Sequence, residues 1–219
     1  MTQVKLDYKK EFKDLYLPKN EPMLVDVPEM NFIMVDGKGN PNDEGGEYQS
    51  AVEILYALSY TIKMSKKGSY NIEGYFEYVV PPLEGLWWME NDGMDFKKKD
   101  KFEWTSMIRQ PEFVTKEVFE WACREVSKKK PKLDVSRAII QTFKEGLCVQ
   151  GLHIGSYDDE PKTVKMIDKY IEDNNLINAI STINEQGIIK RHHEIYLSDP
   201  RKTSVDKLKT VIRHPVKNS

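Results

Sequence analysis

The segment with the most chemical potential is Arg191-His192-His193-Glu194-Ile195-Tyr196-Leu197. Side chains alternate across a strand with period two, so Ile195 and Leu197 share one face and His192, Glu194 and Tyr196 share the other. The apolar face should pack against a helix. The opposite face then sets a carboxylate beside a phenol. On this segment alone a strand facing water explains the pattern better than a site does. The aromatic residues shift that balance: Trp87-Trp88 and Trp104 fall on strand-like runs, and Tyr157 follows Gly155. Large aromatics are costly to expose, so they form either core or the wall of an apolar pocket. A carboxylate among them is desolvated, with its pKa pushed up. Such a group pairs with a cationic ligand or works as an acid or base.

Other candidates are weaker. Gly37-Lys38-Gly39 follows a strand, but Asn40-Pro41-Asn42 interrupts the helix that a dinucleotide site needs. Cys148, His153 and His192-His193 lack any metal-ligand spacing, and adjacent histidines on a strand diverge, so no metal is expected. Cys123 sits in a helical run with Phe119, Ala122 and Val126 and reads as core. No strained serine elbow precedes a helix, and Leu152-His153-Ile154-Gly155-Ser156 does not replace one.

The elements that must position these residues follow from periodicity. Residues 1–29 read as a polar, extended arm. Met30–Val35 is a short apolar strand before the turn at Asp36-Gly37. Ala51, Ile54, Leu55, Leu58 and Ile62 form one face of a helix from about 44 to Lys67, stopped by Gly68. Strands are expected at Tyr75–Val80, Gly85–Met89 and Phe102–Arg109, punctuated by Pro81-Pro82 and Asn91-Asp92-Gly93. Thr115–Val126 and Val135–Phe143 read as helices, the second closed by Gly146. Leu147–Ile154 is then a strand, Lys162–Glu172 a helix, and His193–Leu197 and Leu208–Ile212 strands. Ile108-Arg109-Gln110-Pro111 resembles Ile212-Arg213-His214-Pro215, and each is preceded by a strand, a glycine, an acidic loop and a helix. The chain therefore reads as α+β, one domain over 1–219. Its parts are a strand–helix–strand–strand module at about 24–111, a helical connector at about 112–146, and a second such module at about 147–216.

Composition bounds the partners. In 219 residues, 33 Lys+Arg against 35 Asp+Glu give a formal charge of −2, which argues against specific nucleic-acid binding. The Lys97-Lys98-Lys99 and Lys128-Lys129-Lys130 runs read as solvated loops or helix ends. Charged residues at 31% and the absence of a long apolar run exclude a membrane span. A charged N-terminus without an apolar core is no signal peptide, and two cysteines suit a reduced, cytoplasmic setting.

Several motifs together resemble the GyrI-like small-molecule-binding family. They are Leu24–Phe32, Gly37–Pro41, Glu84-Gly85-Leu86-Trp87-Trp88, His153–Tyr157, His193–Pro200 and Lys209–Val216. The likeness runs from about Leu24 to Val216 and is strongest to the stand-alone branch. It implies duplicated modules of antiparallel sheet, related by a pseudo-two-fold axis, with a ligand groove between them. It further implies an aromatic groove for hydrophobic or cationic small molecules, anchored by a buried glutamate. Some stand-alone members hydrolyse cyclopropane-bearing alkylating agents. On that analogy Glu194 and Tyr196 are catalytic, while Trp87, Trp88, Tyr157, His153 and Trp104 contribute to ligand binding. No cofactor is implied. A non-catalytic sequestering protein and a DNA gyrase inhibitor are the alternative readings. No helix-turn-helix segment precedes the domain, so a self-contained transcription regulator is not expected.

Overall fold

A computed structural model describes residues 5–90, 95 and 98–219. The expected Asn91-Asp92-Gly93 turn, and Lys97 of the first lysine run, lie outside the described residues. The described residues form seven strands: β1 (Met23–Lys38), β2 (Leu83–Trp88), β3 (Glu103–Gln110), β4 (Ala138–Ile154), β5 (Leu176–Asn178), β6 (His192–Tyr196) and β7 (Lys209–Asn218). The helices are α1 (Tyr8–Glu11), α2 (Lys13–Tyr16), α3 (Glu47–Lys63), α4 (Lys116–Lys129) and α5 (Glu160–Asp173).

The strands pair in the order β4-β1-β3-β2-β6-β7, and β4 also pairs with β7. Every ladder is antiparallel, so six strands close into one barrel, with β5 added outside β7. Closure leaves none of the six as an open edge. The arrangement is thus a single closed barrel, where separate sheets are expected from the sequence.

Helix α3 lays its Ala51, Ile54, Leu55, Leu58 and Ile62 stripe, fully buried, on the outside of β1 and β3, and α4 packs beside it. It ends through a 3-10 turn at Ser65–Lys67 and Gly68, as the sequence suggests. Helix α4 starts at Thr115, whose hydroxyl accepts the Val118 N–H. Helix α5 covers β4 and β7, with Ile167 and Ile171 against Val149, Ile212 and Val216. Among the described residues no helix is long and apolar enough to cross a membrane.

Three expectations need correction. Residues 135–143 are not an α-helix: Val135–Arg137 make one 3-10 turn, and Ala138–Phe143 are the first part of β4 and pair with Val35–Met30. The β-branched Ile139, Ile140 and Thr142 favour the strand, and β1 offers a partner along its whole length. The connector is therefore α-helical only over Lys116–Lys129. Gly146, at φ +75°, lies inside β4 beside a break in the ladder opposite Pro28, which has no N–H to give. Tyr75–Val80 forms no strand, and only Tyr78 bridges to Leu6. The N-terminal arm is not simply extended. Helices α1 and α2 bury Tyr8 and Tyr16, and β1 already begins at Met23.

Candidate functional site

The β2–β6 ladder places Gly85 opposite Glu194 and Leu83 opposite Tyr196. Trp87, two residues beyond Gly85, therefore shares the Glu194 and Tyr196 face. That face lies outside the barrel between α3, which brings Tyr48, and α5, which brings Glu160. A Cβ on Gly85 would come within 2.6 Å of the Trp87 indole nitrogen and 3.3 Å of the Tyr196 hydroxyl. The glycine thus lets Trp87 fold back and donate to the Tyr196 oxygen at 2.9 Å. Tyr196 in turn donates to Glu194 Oε2 at 2.8 Å, and the His192 Nε2 faces Glu194 Oε1 at 3.1 Å. His192 Nδ1 meets His214 Nε2 at 2.8 Å, and both histidines are buried.

Glu160 is the second carboxyl of the site. It opens α5, is only 1% exposed, and its Oε1 has no hydrogen-bond partner among the described residues. Burial, then the adjacent Glu194, push its pKa well above the carboxylate range. Burial would raise Glu194 too, but the hydrogen bond and charge of His192, with the Tyr196 hydroxyl, hold it below its ordinary value. The two carboxyls are therefore pushed apart in pKa, the separation that lets two like groups serve as acid and base. Tyr157 is pushed up to about 12 by burial and then by Glu160 and Glu194, so it remains a neutral phenol. Among the described residues, Glu160, His192 and Glu194 also form a donor set able to hold a cation, with ligand atoms within 4.8 Å of one another. The divergence of His192 and His193 is as expected. The convergence of Glu160 on His192 comes from a separate helix, which no local spacing displays.

The carboxyls open into a cavity of about 1540 Å³ lined by Tyr48, Trp87, Phe102, Tyr157, Glu160, Glu194 and Tyr196, and extending along α3. The aromatic rings contact one another: Tyr157 meets Tyr196 edge-on at 5.9 Å, and Tyr48 lies 5.4 Å from Trp87.

Of the residues named from sequence, Glu194, Tyr196, Trp87 and Tyr157 come together here. The other three do not. Trp88 points to the opposite face, where it donates to Glu103 and carries the Arg191 guanidinium over its ring. Trp104 is wholly buried behind the wall, edge-on to Tyr48 and pressed against Gly37, where a Cβ would sit 2.2 Å from its ring. His153 is tied to the Thr163 hydroxyl at 2.9 Å and the Ser156 carbonyl at 2.8 Å, and so fastens β4 to the start of α5. Tyr48 and Glu160 are missed by sequence reasoning. Glu160 follows Asp158-Asp159 and precedes Pro161, a pattern that signals a helix start rather than a buried acid.

A closed α+β barrel carrying an aromatic cavity with an ionised carboxylate at its base defines a small-molecule-binding domain. The chain belongs to the GyrI-like small-molecule-binding domain family, which it matches over residues 20–217. It is similar to a hydrolase from Listeria innocua, with 49% identity, 97% of this chain and 100% of the other covered, and a TM-score of 0.86. A conserved protein from the same organism matches at 51% identity, with the same coverage and a TM-score of 0.89. The C-terminal domain of EcmrR shares the fold at 14% identity, a TM-score of 0.53, and 91% and 98% coverage. None of the curated proteins matches the chain.

Proposed function

We propose that the protein takes flat hydrophobic or cationic small molecules into the aromatic cavity and hydrolyses cyclopropane-bearing alkylating agents by opening the ring with water. The observation that carries this reading is the buried Glu160–Glu194 pair at the base of an aromatic slot, one carboxyl pushed above the ordinary value and the other held below it. The hydrolase from Listeria innocua, about half identical over its whole length, is consistent with it.

The chemistry asks little of the protein. In a cyclopropane conjugated to a dienone, ring opening aromatises the adjacent ring. Glu194 accepts a proton from water as the water oxygen bonds to the cyclopropane carbon. The carbon–carbon bond breaks, and its electrons reach the carbonyl oxygen as a phenolate. A proton returns to that oxygen from solvent, and the sum is the addition of one water. Tyr48, Trp87 and Tyr157 stack on the substrate and orient it, while Tyr196, donating to Glu194, fixes the direction of the base. No step needs a cofactor.

The cavity lies, on this reading, between two duplicated modules, β1-α3-β2-β3 and β4-α5-β6-β7. The ladders support that division. Ile33 lies opposite Ile108 in the first and Gly151 opposite Ile212 in the second, the positions that the two sequence repeats align. Exchanging the modules maps Leu83↔Tyr196 onto Glu194↔Gly85. One copy thus keeps the carboxylate and phenol, and the other the glycine that gives them room.

Mass spectrometry of a duocarmycin-type cyclopropane compound incubated with the protein tests the proposal. A catalytic yield of the water adduct is expected. Intact compound bound one to one would replace hydrolysis by sequestration, the reading that an ionised, buried Glu194 also supports for cationic ligands.

A further inference from the structure

The cavity is larger than the site at its base. Pockets that enclose a drug-sized ligand usually span about 300–1,000 Å³, against about 1540 Å³ here. The excess volume lies along one row of α3. Tyr48, Val52, Tyr56, Tyr60 and Met64 recur at every fourth residue, which forms a continuous ridge on a helix. From Tyr48 to Tyr60 this ridge runs about 18 Å at the helical rise. It is not the core face of the helix, because Ala51, Ile54, Leu55, Leu58 and Ile62 face the barrel. A face turned from the core usually carries charge. This one instead carries aromatic and aliphatic groups, with Tyr60 50% and Met64 40% exposed. Tyr56 and Tyr60 already lie against each other, ring centroids 6.2 Å apart. Pro81, Pro82, Leu197 and Pro200 also line the cavity, as do Tyr70 and Trp121, stacked flat on each other at 4.3 Å.

We infer that Tyr56 and Tyr60 form a second subsite, which holds the tail of an elongated, multi-ring aromatic ligand whose head lies at Glu194. The inference rests on the small-molecule reading of the cavity and adds to it the length of the ligand. The ridge is continuous with the head site and apolar, and it is longer than one fused ring system. Its occupant is therefore a second aromatic unit linked to the first, lying along the helix with its rings on the two tyrosines. Short ligands fill the head alone, so Tyr56 and Tyr60 set specificity without touching the reacting atoms.

Two probes separate head from tail: proflavine, a compact planar cation, and an elongated bis-benzimidazole dye. Binding is measured by fluorescence titration for the natural protein, Tyr56→Ala, Tyr60→Ala and the double variant. Alanine is the best helix former, so α3 should keep its stability. Each lost ring contact is expected to weaken the long dye about three- to tenfold, and the double variant more than tenfold. Proflavine affinity should stay within twofold, whereas Glu194→Gln should weaken both cations. Equal losses for both probes, or a long dye indifferent to both tyrosines, overturn the tail subsite and leave the head site standing. Failure of both probes to bind the natural protein overturns the cavity reading itself, and the tail subsite with it.

Discussion

His192 and His193 are neighbours on one strand, yet they serve two different buried networks. His193 points into the barrel, where its two ring nitrogens donate to Glu145 and Glu84, each at 3.0 Å. Arg213 donates to the same Glu145 at 3.1 Å, to Gln150, and to the Leu15 carbonyl, while Tyr16 donates to Glu84. Because β4 does not neighbour β6, the His193–Glu145 contact crosses the lumen. Two cations there face two carboxylates. Burial opposes the charge on Glu145, but His193 and Arg213 override it and hold Glu145 at about 2. Burial likewise opposes charge on His193, and Glu145 and Glu84 raise it to about 9. On the other face the acids outnumber their partners. Burial and Glu194 push Glu160 well above the carboxylate range, one of its oxygens has no partner among the described residues, and the group opens to the cavity. Buried charge alone therefore does not mark a site. A balanced set locks structure, and an imbalanced set with access is free to act.

The comparison breaks if the two networks respond alike to mutation. Glu194→Gln should lower turnover of a cyclopropane substrate about 10²–10⁴-fold, the usual range for a lost general base. Its melting temperature should barely change. Glu145→Ala should do the reverse, leaving Arg213 and His193 uncompensated in the lumen and costing about 3–5 kcal/mol of stability. Thermal unfolding and single-turnover kinetics on both variants check this. A Glu194→Gln protein as unstable as Glu145→Ala would make Glu194 a structural residue.

The two networks should also separate on the pH axis. His193 is raised in the folded state, so its contribution is complete below the ordinary histidine value and is lost as pH rises through about 9. Glu145 is depressed, so its contribution is present above the ordinary glutamate value and is lost as pH falls toward about 2. These are two views of one interaction, on the order of 1–3 kcal/mol. Glu194, held low chiefly by His192, should sustain turnover through neutral pH and lose it only on acidification. Stability should therefore decline between about pH 6.5 and 9 while single-turnover rates hold in the protein that remains folded. A rate that falls in step with stability would tie His193 to the chemistry.

The sequence shows one of these networks and hides the other. The alternation over Arg191–Leu197 puts Glu194 and Tyr196 on one face, and the α3 stripe from Ala51 to Ile62 is equally plain. The choice between Trp87 and Trp88 needs the register, because parity along β2 has meaning only once Gly85 is set opposite Glu194. Glu160 and Tyr48 come from helices on either side of β6, and no local pattern reports that convergence. The lumen joins β2, β4, β6 and β7, so its charges look like ordinary surface residues in sequence. Val135, Ala138, Ile139 and Thr142 satisfy helical spacing over a window too short to exclude a strand, which accounts for the misassigned first part of β4.

The smallest effect tests how the working face is held together. Trp87 stacks in the cavity wall, and its indole N–H donates to Tyr196, which donates to Glu194. Trp87→Phe keeps an apolar ring in the wall and removes that donor together with the pyrrole half of the indole. A neutral hydrogen bond of this kind contributes about 1 kcal/mol, so kcat should fall about fivefold with KM nearly unchanged. The matched change in the lumen is Tyr16→Phe, which removes the hydroxyl donated to Glu84 at 3.3 Å. That variant should lose about 1 kcal/mol of stability and keep its turnover. A Trp87→Phe protein that loses substrate affinity instead would assign the indole to stacking, and Tyr196 would then orient Glu194 without its help.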